Sequence, residues 1–279
     1  MKTKIFMLIA ATVFVMINVQ GRAQEKFSLG YKMEKGKVYK FAQENIIETI
    51  QEMEGQEMKM NTDGHTMIKY EVEDVSREGT ITLVYSYDEV KLHLKGIGKD
   101  TTMEMKKMLD KKTRAEITKN GKVIQESSVD TTKGLKSMMS LNLFASSNLP
   151  RLPEQAIGIG DKWSGVTNDT SQSDDGLVVY KRNIEYTLAG TDKKSNHDCL
   201  KIDFKGNLEM TEKMKQMGMD VAREGSGETS GSLWFDPASG LLIEEQTVTA
   251  IEMTMAITGQ SQITIPMSQK TTTTQKLVE

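Results

Sequence analysis

The chain has 279 residues and a formal net charge of −3, from 36 Lys and Arg against 39 Asp and Glu. That balance lacks the basic footprint that nucleic-acid binding requires. A single Cys excludes a disulfide framework and a thiolate zinc cluster, and 4 Pro exclude a Pro-rich or collagen-like chain.

The first segment reads as an address. Lys2 and Lys4 precede an apolar run over 5–17, and Gly21-Arg22-Ala23 sets small residues at the −3 and −1 positions of a cleavage point. This is the pattern of a secretory signal peptide over 1–23, with a mature chain from Gln24. The apolar run spans about 20 Å at about 1.5 Å per residue, short of the roughly 30 Å of a bilayer core. No later stretch is long and apolar enough for a transmembrane segment. No Cys stands near the cleavage point to take a lipid. The expected product is a soluble exported protein, periplasmic or extracellular, made more acidic by the loss of Lys2, Lys4 and Arg22.

Most of the remaining chain alternates with period 2, the signal of strands with one packed and one wet face. Ile81, Leu83, Tyr85 and Tyr87 form one such run; Val90, Leu92 and Leu94 follow. Ile251, Met253, Met255 and Ile257 form another, and Ile263, Ile265 and Met267 the last. Glu54-Gly55, Glu78-Gly79, Asn120-Gly121, Ser239-Gly240 and Thr258-Gly259 mark chain reversals, and Asn120-Gly121 suits a type I′ turn. Pro266 inside the last run points to an edge strand. The spacing gives about ten strands.

A helical period appears once clearly. Leu135, Met138, Met139 and Leu143 fall on one helix face, which predicts a short helix near 131–146, stopped by Pro150 and Pro153. Thr101-Thr102-Met103-Glu104 also fits a helix cap ahead of Met105 and Met108. Met210, Met214 and Met217 fit either a helix face or a strand. A polar loop at 167–176 separates an N-terminal β half (24–166) from a C-terminal β half (177–279). The halves echo each other weakly and are read as one continuous fold. The expected class is all-β and mainly antiparallel, an open or flattened barrel or half-barrel with one short central helix.

Catalytic and metal motifs are missing. His65, His93 and His197 are too scattered for a zinc site, and no nucleophile elbow, P-loop or dinucleotide fingerprint is present. Glu244-Glu245 and Asp174-Asp175 read as solvated edge or loop charge. Cys199 falls opposite the apolar face of its strand, with His197 two residues away. It reads as an incidental thiol or as one that His197 could activate. No enzyme activity and no cofactor are expected.

Methionine is the unusual feature: 20 residues, of which Met1, Met7 and Met16 lie in the leader. Clusters among the rest are Met58 and Met60; Met103, Met105 and Met108; Met138 and Met139; Met214, Met217 and Met219; and Met253 and Met255. Thioether chains are flexible and polarisable, so these positions are candidates for an adaptable apolar lining. Capture of Cu(I) and simple core filling are the competing readings.

Two motifs resemble known sequences. Leu149-Pro150 with Gly160-Asp161-Lys162-Trp163 resembles an "LP…vGD.W" signature, and Trp234-Phe235-Asp236-Pro237 with Gly240-Leu241 resembles a "WFD…G" hairpin. Together they are similar to a family of exported proteins of diderm bacteria with no assigned function, and more distantly to periplasmic lipoprotein carriers. The resemblance implies an open antiparallel half-barrel, lidded by helices, whose concave face holds an apolar ligand or lipid. It carries no catalytic residues. Export, alternation and the methionine excess point to a protein that binds such a ligand or contacts another envelope component, the alternative being a purely structural surface protein.

Overall fold

The computed structural model describes residues 25–53, 55–96, 98–109, 112–129, 149–173, 176–216, 219–259 and 262–278. The leader expected at 1–23 and the helix expected near 131–146 lie outside these residues. The described chain forms one 12-stranded antiparallel sheet. Its strands are β1 (Val38–Met53), β2 (Gln56–Val75), β3 (Ile81–Gly96), β4 (Lys99–Glu104), β5 (Lys112–Ile117) and β6 (Val123–Ser128), then β7 (Lys162–Ser173), β8 (Gly176–Lys194), β9 (His197–Gln216), β10 (Met219–Asp236), β11 (Leu241–Thr258) and β12 (Gln262–Leu277). One helical turn, α1 (Lys106–Leu109), follows β4.

The spatial order is β6-β5-β3-β2-β1-β12-β11-β10-β9-β8-β7, with β4 alongside β3. The edges β6 and β7 do not pair, so the sheet is open rather than closed into a barrel. The strands beyond the expected ten include β4, a short and polar segment without apolar alternation. The two halves meet edge to edge through β1 and β12 and share one core.

Every alternating run becomes a strand, and several local readings change. The apolar parity shifts within β3 because a bulge opposite Met67 and Ile68 accommodates Asp88. The segments compatible with helix at 101–104 and 210–216 are β4 and the end of β9. A spacing of four residues keeps one face in either structure, and adjacent strands supply the ladder. The expected polar loop at 167–176 runs through the end of β7 to the start of β8; its polarity reflects an edge strand. At Asn120-Gly121 only Gly121 has positive φ (77°), so the turn is not type I′; Ser195 (45°) and Asn196 (66°) make the tight turn with both central φ positive. Pro266 lies in an interior strand, just past the last β1–β12 pair, Gln51 with Met267, where β12 is locally an edge.

Near one end of the strands the inner face carries Phe41, Tyr70, Leu83 and Ile117 from one half and Leu188, Ile202, Leu233 and Phe235 from the other, in one cluster. Two extended segments fill the space between them. Leu29, Tyr31 and Met33 alternate inward from the first; Leu149, Leu152 and Ile157 come from the second. The segments pair at Phe27 and Ile157. Asn120 clamps both: its Nδ2 donates to Leu29 O (3.4 Å) and Pro153 O (2.6 Å), and its carbonyl accepts from Leu152 N (3.0 Å). The Tyr31 hydroxyl donates to Pro150 O (2.9 Å), and its ring meets Phe235 edge-on at 5.7 Å.

Glycines set the curl. Gly64, Gly206, Gly225, Gly227 and Gly231 all stand on the inner face by register. A Cβ on Gly227 would overlap the Ala250 carbonyl and stand 2.8 Å from Ile251 Cα; one on Gly231 would stand 2.7 Å from Phe204 Cζ. With no side chain at Gly227, its neighbours Leu208 and Ile251 share one cluster across β10.

Two substitutions test this frame. Gly227→Val, forced against neighbouring backbone, should lower stability by about 3 kcal/mol or abolish folding, while exposed Ser226→Val should stay within about 0.5 kcal/mol. Asn120→Ala leaves two main-chain carbonyls without their donor and should cost about 2–3 kcal/mol. Urea midpoints read both.

Candidate functional site

Beyond the filled end the inner face continues as a trough, zoned along the strands. The first zone is polar. Cross-strand register places Thr66, Gln43, Gln275 and Glu245 in one row and Asn45, Thr273 and Thr247 in the next. Asn45 Oδ1 accepts from Gln43 Nε2 (3.2 Å) and Thr273 Oγ1 (2.8 Å), and Thr229 and Thr249 share a hydroxyl bond of 2.9 Å. Gln275 Nε2 is buried without a hydrogen-bond partner among the described residues.

The second zone is rich in methionine. One continuous row runs Met58, Gln51, Met267, Met253, Gly225, Met210, Tyr180 across seven neighbouring strands, from β2 to β8. The next carries Ile265, Met255, Arg223, Glu212 and Val178, and the one beyond Ile263, Ile257, Val221 and Met214. Met210 and Met214 are buried, whereas Met58, Met60, Met253, Met255 and Met267 keep part of their surface open. Met105 packs against Ile47 and Leu92 in the other half of the sheet.

Five of the expected lining residues, Met58, Met60, Met214, Met253 and Met255, therefore share this face. Met105 joins its own small cluster, and Met108 lies in α1. Met138, Met139 and Met217 lie outside the described residues. Met267 and Tyr180 belong to the same zone and were not singled out. Period-2 parity marks Met267, but only the pairing register shows that it stands opposite Met253. A depression of about 600 Å³ at Met210, Gly225, Met253 and Met267 is walled by Glu209, Thr211, Glu224, Ser226, Glu252 and Thr254. Those residues alternate with the methionines, so the depression lies on the outer face.

Glu245 is half-buried on the inner face and accepts from Thr247 Oγ1 (2.9 Å); desolvation pushes its carboxyl up to about 7 against the opposing pull of that bond and of Arg182. Glu212 is buried in an ion pair with Arg223 (2.9 Å). Burial and the Glu212 charge push the Tyr180 hydroxyl well above its ordinary range. Its proton goes to Met210 Sδ at 3.0 Å.

The reading of Glu244-Glu245 as solvated edge charge is corrected. β11 is an interior strand, so one carboxylate of the pair points into the trough and the other, Glu244, is buried on the outer face against Lys194 (3.0 Å) and Gln246 (2.6 Å). Asp174-Asp175 lies outside the described residues.

The alternative roles for histidine and cysteine have plain structural accounts. His65 sits on Glu44 (2.6 Å), His93 on Asp100 (2.7 Å) and His197 on Asp236 (2.8 Å). Cys199 packs with Trp234 and Ile243, and burial with the nearby Asp236 charge pushes its thiol up to about 11, opposite to an activated nucleophile. Asp236 organises its turn: burial opposes its ionisation, yet bonds from His197, Ser239 and two backbone amides hold it below the usual carboxylate range. Asp161 accepts from Gly158 N (2.8 Å), and Trp163 donates to Arg151 O (2.8 Å) and stacks on Tyr186. Both short motifs thus shape turns and the filled end of the sheet.

Among the described residues no group of three His, Cys, Asp or Glu is placed to hold a metal ion, and no helix is long and apolar enough to cross a membrane. No protein-family model matches the chain, and no curated protein matches it in sequence. Its function is therefore argued from its own geometry.

Glu245 gives a pH signature. A carboxyl whose folded pKa exceeds its unfolded value stabilises the fold at low pH and loses that contribution as pH rises from about 4.5 to about 7. Glu245→Gln should be more stable than the wild type by about 1–3 kcal/mol near pH 8 and close to it near pH 4.5. Parallel pH–stability curves for the two proteins would show that Glu245 is not the group responsible.

Proposed function

We propose that this is a non-catalytic exported protein whose trough binds an apolar or acyl ligand. The observation that carries the reading is the row of Met58, Met267, Met253 and Met210 on one inner face. Among the described residues, the clusters there draw on the sheet itself and Met105, whereas at the other end two extended segments fill the concavity. Thioether chains reshape around an apolar guest at little cost. The stretch 251–257 runs for about 20 Å at about 3.4 Å per residue, which suits a long acyl chain lying along the strands. A second reading, capture of a soft metal, draws on Met253 and Met267 standing directly opposite each other.

Native mass spectrometry of the exported chain tests both. Acyl lipid should accompany the wild type and Met253→Leu. It should fall by about tenfold or more in Met253→Glu, which sets a carboxylate against the guest. A chain that carries no lipid and takes up none when it is supplied would end the apolar-ligand reading. A Cu(I) adduct lost in Met253→Leu would favour the metal.

A further inference from the structure

The methionine zone contains one polar feature that the sheet itself does not require. Arg223 and Glu212 are directly opposite on β10 and β9, on the inner face. Glu212 is only 1% exposed, and its Oε2 accepts from Arg223 Nη1 at 2.9 Å. Its Oε1 and the Arg223 Nε are buried without a hydrogen-bond partner among the described residues. The surroundings are apolar: Val178 and Met255 face the pair across the ladder, and Met210 and Met214 flank Glu212 along β9. The Tyr180 hydroxyl, close enough to feel the Glu212 charge, makes only a weak bond to a thioether sulfur.

A buried ion pair is poor value for stability, because desolvation offsets its attraction and an apolar replacement is often no worse. An apolar site with a few fixed polar groups is, by contrast, the usual form of a small-molecule site. Here one orphan acceptor and one orphan donor lie on adjacent side chains. Resting on the apolar-ligand reading above, we propose that Glu212 and Arg223 anchor the head of that ligand, and that the head is uncharged and both donates and accepts hydrogen bonds, as a hydroxyl or amide does. It donates to Glu212 Oε1 and accepts from Arg223 Nε, reached as a methionine side chain turns aside. An anionic head would compete with Glu212 for Arg223, and a cationic head with Arg223 for Glu212. Either would leave a buried charge unpaired.

Calorimetric titration of the full exported chain with palmitoylglycerol, palmitate, cetyltrimethylammonium and hexadecane tests the proposal. The wild type should bind palmitoylglycerol about tenfold or more tightly than the other probes, the factor expected of two buried hydrogen bonds. The double variant Glu212→Leu/Arg223→Met, which replaces the pair by apolar chains, should keep the fold, bind hexadecane and palmitoylglycerol alike, and so lose the preference. Equal binding of these two probes by the wild type would overturn the proposal, leaving a pair bridged by water in a trough that still takes apolar chains. A preference that survives in the double variant would also overturn it. Binding of none of the probes would remove the apolar-ligand reading together with this one.

Discussion

On a tightly curled sheet the side chains of the inner face converge, and this protein meets that crowding by leaving some of them out. Gly225, Gly227 and Gly231 fall on alternate or near-alternate residues of β10, all toward the inside. The adjacent backbone comes close enough that a Cβ at Gly225 would lie 2.7 Å from the Glu252 carbonyl. Because β10 yields there, residues of β9 and β11 share a cluster across it, as Leu208 and Ile251 do. Gly64 plays the same part in β2, where Ile47 of β1 and Leu92 of β3 share a cluster. The rest follows from this curl. It brings the two halves close enough to share one core around Tyr31 and Leu149, and it turns the remaining inner face into a trough.

The trough is zoned because the two ends of its strands meet different requirements. At the filled end, aromatic and aliphatic chains exclude water, and the covering segments find hydrogen-bond partners in Asn120 and the Lys119 carbonyl. The middle rows carry amides and hydroxyls that bond one another across strands, as Thr273 does to Asn45 and Thr229 to Thr249. Past them the methionines begin, with the ion pair of Glu212 and Arg223 among them. Carboxyls on this face respond to their surroundings in opposite ways. Glu245, with a hydroxyl donor and a more remote Arg182, is pushed toward its neutral form; Glu212 holds a direct ion pair.

Much of the architecture was legible in the residues, and the failures have definite causes. Alternation in 81–87, 251–257 and 263–267 identified strands correctly, since one buried face forces period 2 whatever the partner. The short strand β4 escaped because the ladder of β3 holds it, with no apolar stripe of its own. At 210–214 a four-residue spacing fits helix and strand alike, and only the presence of β8 and β10 on either side decides. Of the lining residues, Met253 and Met255 were visible from parity. Glu212 and Arg223 were not, because charged residues in a strand read as solvent-facing until the register shows which face they share.

The sequence by itself determined the antiparallel β character, the turns and which residues of each strand share a face, because these depend on neighbours a few positions apart. Only the tertiary structure decided the order of the strands, the open edges at β6 and β7, and the register that aligns Met58, Met267, Met253 and Met210 in one row. Those depend on pairings between residues as far apart as Phe41 and Leu277, which no local pattern encodes. The methionine excess visible in the composition thereby becomes a row with a place: the inner face of the sheet, beside the ion pair of Glu212 and Arg223.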